Sequence, residues 1–339
     1  MNAVVTLLCA LLLALAGSAD AAKTGLVYHP DYLLHDPGMG HPERPARLEA
    51  IIAHLKARGV LDALRLIEPA PADEQWLRQV HTEKYLKHLA QSVKKAPIYL
   101  DADTGLSADS YRVAKLATGG VLTAVDLVMD GAIDNAFVAA RPPGHHALPD
   151  RAMGFCLINH IAVATRYVQT KYRLKRVLIV DWDVHHGNGT QDIFYDDPTV
   201  FYFSVHQWPY YPGTGDAADT GAGDGAGTTL NIPLPAGAGD AEVIDAFRHK
   251  LVPAMDAFRP EFVLISAGFD AHRDDPLAGL DVTASGYREL TRIVLEIAVR
   301  SAQGRIVSLL EGGYNLPALG RSVEAHLREL AGMHIDASR

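Results

Sequence analysis

The sequence is poor in cysteine and has no run of basic residues. Cys9 and Cys156 are its two cysteines among 339 residues. Because Cys9 lies in an apolar leader segment, the mature chain would keep a single thiol and form no intrachain disulfide. The net charge is −9 without a basic block, which argues against nucleic-acid binding through phosphate contacts and is compatible with cationic substrates. The remaining composition, 48% hydrophobic and 21% charged, is that of an ordinary globular protein.

The longest apolar run lies near the amino terminus, from Val4 to Gly17. It is shorter than a comfortable membrane-spanning helix, so no stable membrane insertion is expected, and no cysteine follows it to carry a lipid anchor. Ala19-Asp20-Ala21 fits a small-x-small cleavage site, although no Lys or Arg precedes the run. We therefore predict a signal peptide over residues 1–21 and a globular domain over residues 22–339. The protein would then be periplasmic or secreted; with a misassigned start codon it would be cytoplasmic.

From Lys23 onward, short apolar runs alternate with longer segments of helical periodicity. This alternation is typical of parallel strands joined by helices that cover both faces of a sheet. The predicted strands are Gly25–His29, Arg65–Glu68, Asn135–Arg141, Val177–Asp183, Val200–His206, Thr228–Pro233, Phe262–Asp270 and Arg305–Glu311. The predicted helices are Pro45–Arg58, Thr82–Lys94, Ser107–Asp130, Ile158–Tyr172, Asp240–Phe258, Thr283–Ala302 and Pro317–Leu330. No internal repeat or linker divides the chain, so a single α/β domain is predicted.

A group of acids and histidines follows the apolar run Val177–Val180. If the strand continues, Asp181, Asp183 and His185 share one face, because alternate side chains of a strand point the same way. Two carboxylates and an imidazole at the end of a buried strand are costly to leave unpaired. A divalent metal would supply the missing charge. The alternative is a strand end capped by solvated acids.

Three more predicted strands end beside glycine and a reactive side chain. The residues concerned are the pair His145 and His146, then Asp270, and then Tyr314. Ligands of open parallel sheets bind beyond the carboxyl ends of the strands. These residues are therefore expected to meet the acid-rich segment at one edge of the sheet.

A metal centre can be assembled from Asp183, His185 and Asp270. Three protein ligands leave a position open for water, which is the arrangement of catalytic rather than structural zinc. The oxygen-rich ligand set also suits Fe(II) or Mn(II). The sequence therefore predicts a metal more firmly than it predicts which metal.

Three side chains are suited to proton transfer and charge stabilisation at such a centre. The adjacent His145 and His146 fit general acid–base catalysis at neutral pH. Tyr314 follows the Gly312-Gly313 turn, and its hydroxyl could donate a hydrogen bond to a developing oxyanion. Taken singly, each of these residues is more often a structural side chain.

Taken together, the motifs resemble the zinc-dependent histone deacetylase family, which includes the acetylpolyamine amidohydrolases. The matching segments are residues 41–47, 80–82, 141–146, 154–156, 181–191, 266–270 with 275–277, and 310–315. The match extends over roughly residues 25–330. Segments 181–191 and 310–315 resemble the sequence motifs of the class II branch. The resemblance implies an arginase–deacetylase fold, with an eight-stranded parallel sheet flanked by helices on both faces. It also implies a zinc-dependent deacetylase that hydrolyses an N-acetyl amide on a lysine or polyamine.

The resemblance further implies roles for individual residues. Asp183, His185 and Asp270 would bind Zn²⁺, His146 would act as general base and then acid, and His145 would assist it. Asp181 would orient His145, and Tyr314 would stabilise the oxyanion together with the metal. The substrate tunnel would be lined by Gly154, Phe155, Tyr211 and Leu277, and Arg47 would line an internal channel for acetate. A structural K⁺ would be bound by main-chain carbonyls of Asp181, Asp183, His185 and Val205 and by the hydroxyl of Ser204.

Two positions depart from particular relatives. Asn188 stands where class I members carry an aspartate paired with the second histidine, so the basicity of His146 should be less elevated. Leu277 stands where the polyamine-selective class II relative carries a gatekeeping glutamate, so strong selectivity for a second ammonium is less expected. Asp101 or Asp103 could grip the substrate at the rim instead, although exposed acids in a turn are often only solvated.

Several alternatives stay open beside this interpretation. A binuclear manganese ureohydrolase on the same fold would need acids where the chain has Gly187 and His272, so its second metal site is not built. A non-catalytic acyl-lysine binding protein would be expected to lack the tyrosine or a ligand, and none is lacking. The substrate could be acetyl-lysine, an acetylpolyamine, a longer acyl chain or a small acetylated metabolite. An exported enzyme would act on polyamines, peptides or amino sugars rather than on histones.

Overall fold

The computed structural model describes residues 23–333 of the chain. The predicted signal peptide, residues 1–21, lies outside the described residues. Among residues 23–333, no helix combines the length and the apolar character needed to cross a membrane.

Eight parallel strands form one sheet, and each of the eight predicted strands is confirmed, with ends that differ by a few residues. The strands are β1 (Thr24–Val27), β2 (Arg65–Ile67), β5 (Asn135–Val138), β6 (Val177–Asp181), β7 (Val200–Gln207), β8 (Thr229–Leu234), β9 (Phe262–Ala267) and β10 (Ile306–Leu310). A separate antiparallel pair is formed by β3 (Ile98–Tyr99) and β4 (Gly105–Leu106). The order in the large sheet is β2-β1-β5-β10-β9-β6-β7-β8.

The central strands of the large sheet are covered on both faces. Every residue of β5, β6, β9 and β10 is buried. Because neighbouring side chains of a strand point to opposite faces, burial at every position requires helices on both sides. This agrees with the predicted α/β architecture.

The helices alternate with the strands along the chain. They are α1 (Ala46–Ala57), α2 (Glu74–Leu77), α3 (Glu83–Ser92), α4 (Ser110–Met129), α5 (His160–Tyr172), α6 (Asn188–Phe194), α7 (Asp240–Ala246), α8 (Val252–Phe258), α9 (Ala284–Ser301) and α10 (Leu316–Leu330). The helix predicted over Asp240–Phe258 is divided by a π-helical turn, Phe247–Leu251. Pro253 in the first turn of α8 explains this, because a proline has no N–H for the preceding helical turn and its ring displaces that turn. The short helices α2 and α6 were not predicted.

Polar side chains cap four of the helices. Thr82, Asn159, Thr283 and Asn315 each accept a hydrogen bond from the backbone amide three residues on, at 3.0–3.2 Å. Such caps satisfy amide groups that have no partner within the helix. Asn315 caps α10 directly after Tyr314, so it fixes the point at which the chain leaves the candidate site.

The sheet order places four loops side by side at its carboxyl edge. Strands β5, β10, β9 and β6 are consecutive neighbours. Every predicted catalytic residue and metal ligand lies at the carboxyl end of one of these strands or in the loop that follows it. One detail of the prediction was wrong, since β6 ends at Asp181 and does not continue to Asp183. The Asp181 carboxylate accepts the amide of Asp183 at 3.2 Å, and the Asp183 carboxylate accepts the amide of His185 at 2.9 Å. These local bonds turn the chain out of the strand.

Candidate active site

Asp183, His185 and Asp270 converge at the carboxyl edge of the sheet. Their ligand atoms all lie within 4.8 Å of one another. The Nδ1 atom of His185 is 3.1 Å from Asp183 Oδ1 and 3.2 Å from Asp270 Oδ2. Burial and the nearby charge of Asp183 raise the pKa of Asp270 to about 7, as expected where negative charge is concentrated in a buried site.

The surroundings of these three residues fit a small cation. Asp270 Oδ2 is buried and forms no hydrogen bond within residues 23–333. A Cβ atom at Gly268 would lie 2.1 Å from Asp183 Oδ2, and one at Gly312 would lie 2.0 Å from Asp270 Oδ2. Glycine at both positions therefore allows the two carboxylates to turn toward one point. Two carboxylates and an imidazole are ligands that Zn²⁺ and Fe²⁺ both accept.

His145 is oriented by Asp181. Its Nδ1 atom is 3.0 Å from Asp181 Oδ2, and the same carboxylate oxygen accepts a hydrogen bond from the Tyr202 hydroxyl at 3.1 Å. Burial lowers the pKa of His145, but the carboxylates of Asp181 and Asp183 outweigh it and raise this pKa to about 10. The ring is thus held by a buried acid and carries positive charge readily.

His146 lies beside His145, with their ring centroids 4.0 Å apart, and its partner is Asn188. The His146 Nδ1 atom is 2.8 Å from Asn188 Oδ1, while the amide nitrogen of Asn188 faces the sulfur of Met153 at 3.5 Å. Because an amide oxygen only accepts, Nδ1 carries the proton and Nε2 keeps a free lone pair. Burial and the positive charges of His145 and His185 lower the pKa of His146 well below its ordinary value, so the ring stays neutral at neutral pH.

Tyr314 is positioned by the backbone around it. The amides of Tyr314 and Asn315 donate to Asp275 Oδ2 at 2.7 and 3.1 Å. The guanidinium carbon of Arg47 lies 4.9 Å from the centroid of the Tyr314 ring. Burial raises the pKa of Tyr314 well above its ordinary value, so the phenol stays protonated and is available as a hydrogen-bond donor.

Arg47, predicted to line an acetate channel, supports the turn before Tyr314. It is fully buried. Its Nε atom donates to Gly313 O at 2.7 Å, and Nη2 donates to Glu311 O at 2.5 Å. The third nitrogen is 3.3 Å from Glu43 Oε1. Glu43 also pairs with buried Arg141, whose Nη2 is 2.8 Å from Glu43 Oε2. The early motif containing Glu43 and Arg47 is thereby tied to two of the loops that form the site.

Glu311 is a site residue to which the sequence analysis gave no role. Its Oε2 atom accepts the amides of Gly144 and His145 at 2.6 and 3.2 Å, and Oε1 accepts the hydroxyl of Ser266 at 3.0 Å. The carboxyl group is fully buried, and burial raises its pKa to about 7. Glu311 therefore holds the loop with the two histidines against the ends of β9 and β10. The signal that could have pointed to it is an acid directly after a buried strand.

A narrow pocket of about 200 Å³ opens above these residues. The predicted tunnel residues Gly154, Phe155, Tyr211 and Leu277 all line it. The Tyr211 ring meets the His146 ring edge-on at 5.3 Å, and Phe155 meets Tyr314 edge-on at 6.1 Å. Gly154 has φ +55, and a Cβ there would lie 2.5 Å from His146 Cδ2. A side chain at this position would thus push into the base of the pocket.

Tyr210 also lines the pocket, and the sequence analysis missed it. Its ring stacks on that of His185 with centroids 5.6 Å apart and 24° between the planes. Its hydroxyl donates to Leu277 O at 2.5 Å. Tyr210 thus connects the loop after β7 with the loop after β9 across a predicted metal ligand. The family resemblance pointed to its neighbour Tyr211, and no separate feature of the sequence pointed to Tyr210.

The two candidate rim acids have different surroundings. Asp101 Oδ1 accepts the amides of Asp103 and Thr104 at 3.1 and 2.7 Å, so this carboxylate shapes the turn. Asp103 lines the mouth of the pocket, and its main-chain oxygen is 3.0 Å from His41 Nε2. Of the two acids, Asp103 is therefore the one that lines the pocket.

The segments predicted to bind K⁺ lie next to each other. Asp181 of β6 pairs with Ser204 of β7, and the amide of Gln207 donates to Val184 O at 2.9 Å. The Ser204 hydroxyl is 2.9 Å from His206 Nδ1. Strand pairing thus brings the stretches 181–185 and 204–205 together beside the predicted metal centre, to which Asp183 and His185 also belong.

Fold and site together define an α/β enzyme with a buried polar centre beneath a narrow pocket, and similarity to known proteins identifies its family. Residues 41–330 match the histone deacetylase domain. A probable deacetylase of Archaeoglobus fulgidus is 40% identical, over 93% of this chain and 88% of that protein. The histone deacetylase-like amidohydrolase of Pseudomonas aeruginosa is 38% identical, over 87% of this chain and 78% of that protein. The crystal structure of the HDA15 HD domain superposes with a TM-score of 0.88 at 40% identity, covering 92% of this chain and 89% of that one.

The chain therefore belongs to the histone deacetylase family, within the superfamily of histone deacetylases and acetylpolyamine amidohydrolases. These relatives support deacetylase activity in general, which is the hydrolysis of an amide. The structural match also bears out the arginase–deacetylase fold that the motifs implied.

Proposed function

We propose that this protein is a Zn²⁺-dependent deacetylase that removes an acetyl group from an acetylated primary amine. The observation that carries the proposal is the convergence of His146, His185 and Tyr314 on one 200 Å³ pocket. A neutral base, a predicted metal ligand and a protonated phenol there face the same small volume. That combination suits attack of water on an acyl carbon and stabilisation of the resulting charge.

Asp183, His185 and Asp270 would hold the metal, which is Zn²⁺ in this proposal, with Fe²⁺ as the alternative. The buried, unpartnered Oδ2 of Asp270 and the glycines at 268 and 312 support this assignment. When bound, such a cation polarises the acyl carbonyl and makes water a better nucleophile.

His146 would accept the proton of the attacking water at Nε2. Its hydrogen bond to Asn188 fixes the tautomer in which this atom is free. The same nitrogen would then return the proton to the departing amine, which leaves the products as acetate and a free amine. His145, held by Asp181, would remain positively charged beside it and stabilise the negative charge that develops.

The hydroxyl of Tyr314 would donate a hydrogen bond to the tetrahedral oxyanion. Arg47 and Asp275 hold the Gly312-Gly313-Tyr314 turn from both sides. This support keeps the donor in place before the charge develops, which is the condition for effective oxyanion stabilisation. Because Arg47 donates hydrogen bonds to the main chain of Glu311 and Gly313, we propose that its main role is to position Tyr314.

The pocket walls favour a slender, extended amine as the substrate. Phe155 and Tyr211 offer aromatic surface to a methylene chain, and Leu277 adds no charge at the rim. Asp103 would meet a cationic or amide group outside the pocket. Acetyl-lysine and acetylpolyamines both fit this description. Longer acyl chains, small acetylated metabolites and non-catalytic acyl-lysine binding are the alternatives.

A comparison of substrates tests this proposal. The zinc-loaded protein would be assayed for kcat/KM on an acetyl-lysine peptide and on N-acetylated putrescine and spermidine, together with the variant Asp103→Asn. Preference for the polyamines, lost in this variant, would make Asp103 the source of cation selectivity. Asp150→Asn removes an exposed carboxylate of the same charge and should change nothing. If no substrate were turned over while metal was bound, the catalytic proposal would be wrong.

A K⁺ site next to the metal centre is the second part of the proposal. Main-chain carbonyls of Asp181, Asp183, His185 and Val205 and the hydroxyl of Ser204 would bind the ion, and the pairing of Asp181 with Ser204 supports this arrangement. A ligand that binds the folded state raises its stability. We therefore expect a higher Tm in KCl than in choline chloride of equal ionic strength, and equal Tm values would contradict the site.

Export from the cytoplasm is the third part, and it rests on residues 1–21 alone. The expressed protein would be recovered from the cell and its amino terminus sequenced. A terminus at Ala22 in a periplasmic or secreted fraction is expected. An intact Met1 in the cytosol would refute it.

A further inference from the structure

A second recess lies at the edge of the sheet opposite the active site. It has a volume of about 700 Å³. Its walls come from residues just before β6, β9 and β10 and from the carboxyl ends of α5, α8 and α9. The active-site residues follow those same three strands. Because a strand rises about 3.3 Å per residue, the length of these strands separates the recess from the active site by about 15–20 Å.

The recess is lined by four guanidinium groups and one carboxylate. The groups belong to Arg176, Arg259, Arg300 and Arg305, and to Glu261. Glu261 is already engaged, because its Oε2 accepts the amides of Lys175 and Arg176 at 2.8 and 2.9 Å and its Oε1 is 3.8 Å from Arg176 Nη2. One acid therefore faces four fixed positive charges, in a chain whose net charge is −9.

Two of the four arginines have no acidic partner. Arg305 Nη2 donates to the amide oxygen of Gln303 at 2.7 Å, which leaves its charge uncompensated. Arg259 donates no side-chain hydrogen bond in residues 23–333, and no carboxylate there lies within ion-pair distance of Arg259 or Arg305. Arg300 pairs with Asp256 at 3.4 Å, and both of these side chains are exposed. The recess thus keeps positive charge that an anion could neutralise.

The backbone at Arg259 has a conformation that is uncommon for residues other than glycine. Arg259 follows the last residue of α8 with φ +54, and Gln303, just beyond α9, has φ +56. Glycine is the usual residue at such left-handed helix ends, because a Cβ is unfavourable there. An arginine at 259 therefore costs the helix end some stability. In return, the side chain of Arg259 places a guanidinium group on the wall of the recess.

One wall of the recess is apolar. It is formed by Leu174 and Phe258, which are both partly buried. The Phe258 ring packs against that of Phe201, with their centroids 5.4 Å apart. An apolar surface beside several guanidinium groups matches a ligand that has both an aromatic ring and phosphate groups. Guanidinium binds phosphate through paired hydrogen bonds, and aromatic rings stack on apolar side chains.

We propose that this recess binds a soluble nucleoside di- or triphosphate. The phosphates would lie against Arg259 and Arg305, and the base would lie against Leu174 and Phe258. The volume is several times that of the acyl pocket and suits a ligand of nucleotide size. This site is separate from the deacetylase site and does not depend on the function proposed for it.

Calorimetric titration of the full-length protein with ATP tests the proposal, with magnesium in excess so that the nucleotide does not extract the active-site metal. The test variant is Arg259→Gly with Arg305→Gln. Glycine suits the backbone conformation at 259, and glutamine at 305 removes the charge but keeps a polar side chain. The matched control is Arg288→Gln with Arg292→Gln. It removes two partly exposed arginines from α9 in a different groove and makes the same change in charge.

We expect saturable binding of one ATP per chain, and a Kd at least about tenfold higher in the test variant, the scale of losing charged hydrogen bonds. The control should bind as wild type, and both variants should keep kcat/KM for deacetylation. No binding, or equal weakening in both variants, would overturn the proposal. Flotation with vesicles of phosphatidylglycerol would also overturn it if the protein bound them through these arginines and did not bind ATP.

Discussion

Replacement of Gly312 by alanine probes the two carboxylates of the proposed metal centre directly. The added Cβ would lie 2.0 Å from Asp270 Oδ2 and 2.6 Å from Asp183 Oδ2, whereas ordinary contact begins at 3.4 Å. Asp270 would have to retreat by about 1.4 Å to reach that distance. A displacement of about 1 Å in a group that supports catalysis costs roughly 100-fold in rate. We therefore expect kcat/KM on an acetyl-lysine peptide to fall by about 100-fold or more.

The assay should measure metal content and fold together with turnover. Zinc per chain, determined after dialysis, should fall below the wild-type value, while circular dichroism shows that the sheet and helices are kept. Gly279→Ala is the matched control, because the closest atoms to a Cβ at Gly279 are 3.4 Å away and its φ is not positive. If Gly312→Ala bound zinc and turned over substrate as wild type, Asp183 and Asp270 would not form the centre that we propose.

Three further variants probe the residues around the pocket. Tyr314→Phe should lower kcat by about 100- to 1,000-fold with the fold retained, since one oxyanion donor is lost; near wild-type turnover would remove Tyr314 from the mechanism. Asn188→Asp places a carboxylate beside His146, which raises the pKa of His146 and should move the acidic limb of the kcat/KM profile to higher pH. An unchanged profile would mean that His146 is not the base. Tyr210→Phe removes the hydrogen bond to Leu277 O and should raise KM severalfold with little change in kcat; a fall in kcat alone would assign Tyr210 a different role.

The fold could be predicted well because its core strands are parallel and fully buried. Such strands appear in a sequence as continuous apolar runs, as in Val177–Val180. The edge strands β2 and β8, which are only partly buried, were predicted as well. The helix ends that lie near the site carry capping residues, such as Thr283 and Asn315, which mark their starts. The helix α6 was missed because its Asn188-Gly189-Thr190 start has poor helical propensity. It forms where Gly189 packs closely against main-chain atoms of His146 and Ala147.

The residues of the candidate site could be named from the sequence, but their arrangement could not. The acids, histidines and tyrosine could be named because each follows a strand end, and the sheet order brings those ends together. Asp183 and His185 were expected on a strand face, yet they lie in a loop turned by carboxylate–amide bonds. Sequence patterns show the periodicity of apolar and polar residues along the chain. They do not show where a side chain accepts a hydrogen bond from a neighbouring backbone amide and so ends a strand.

From the sequence alone came the predicted metal ligands, the pair of histidines, Asn188 as the predicted partner of the second histidine, and the parallel sheet. These depend on residue type and on local order along the chain. Only the tertiary structure assigned Asp103 rather than Asp101 to the rim, placed Arg47 and Glu311 behind the catalytic loops, and put Tyr210 over His185. It also gathered four arginines at the far edge of the sheet. These features depend on contacts between segments that lie far apart in the chain, and such contacts are set by strand order and packing.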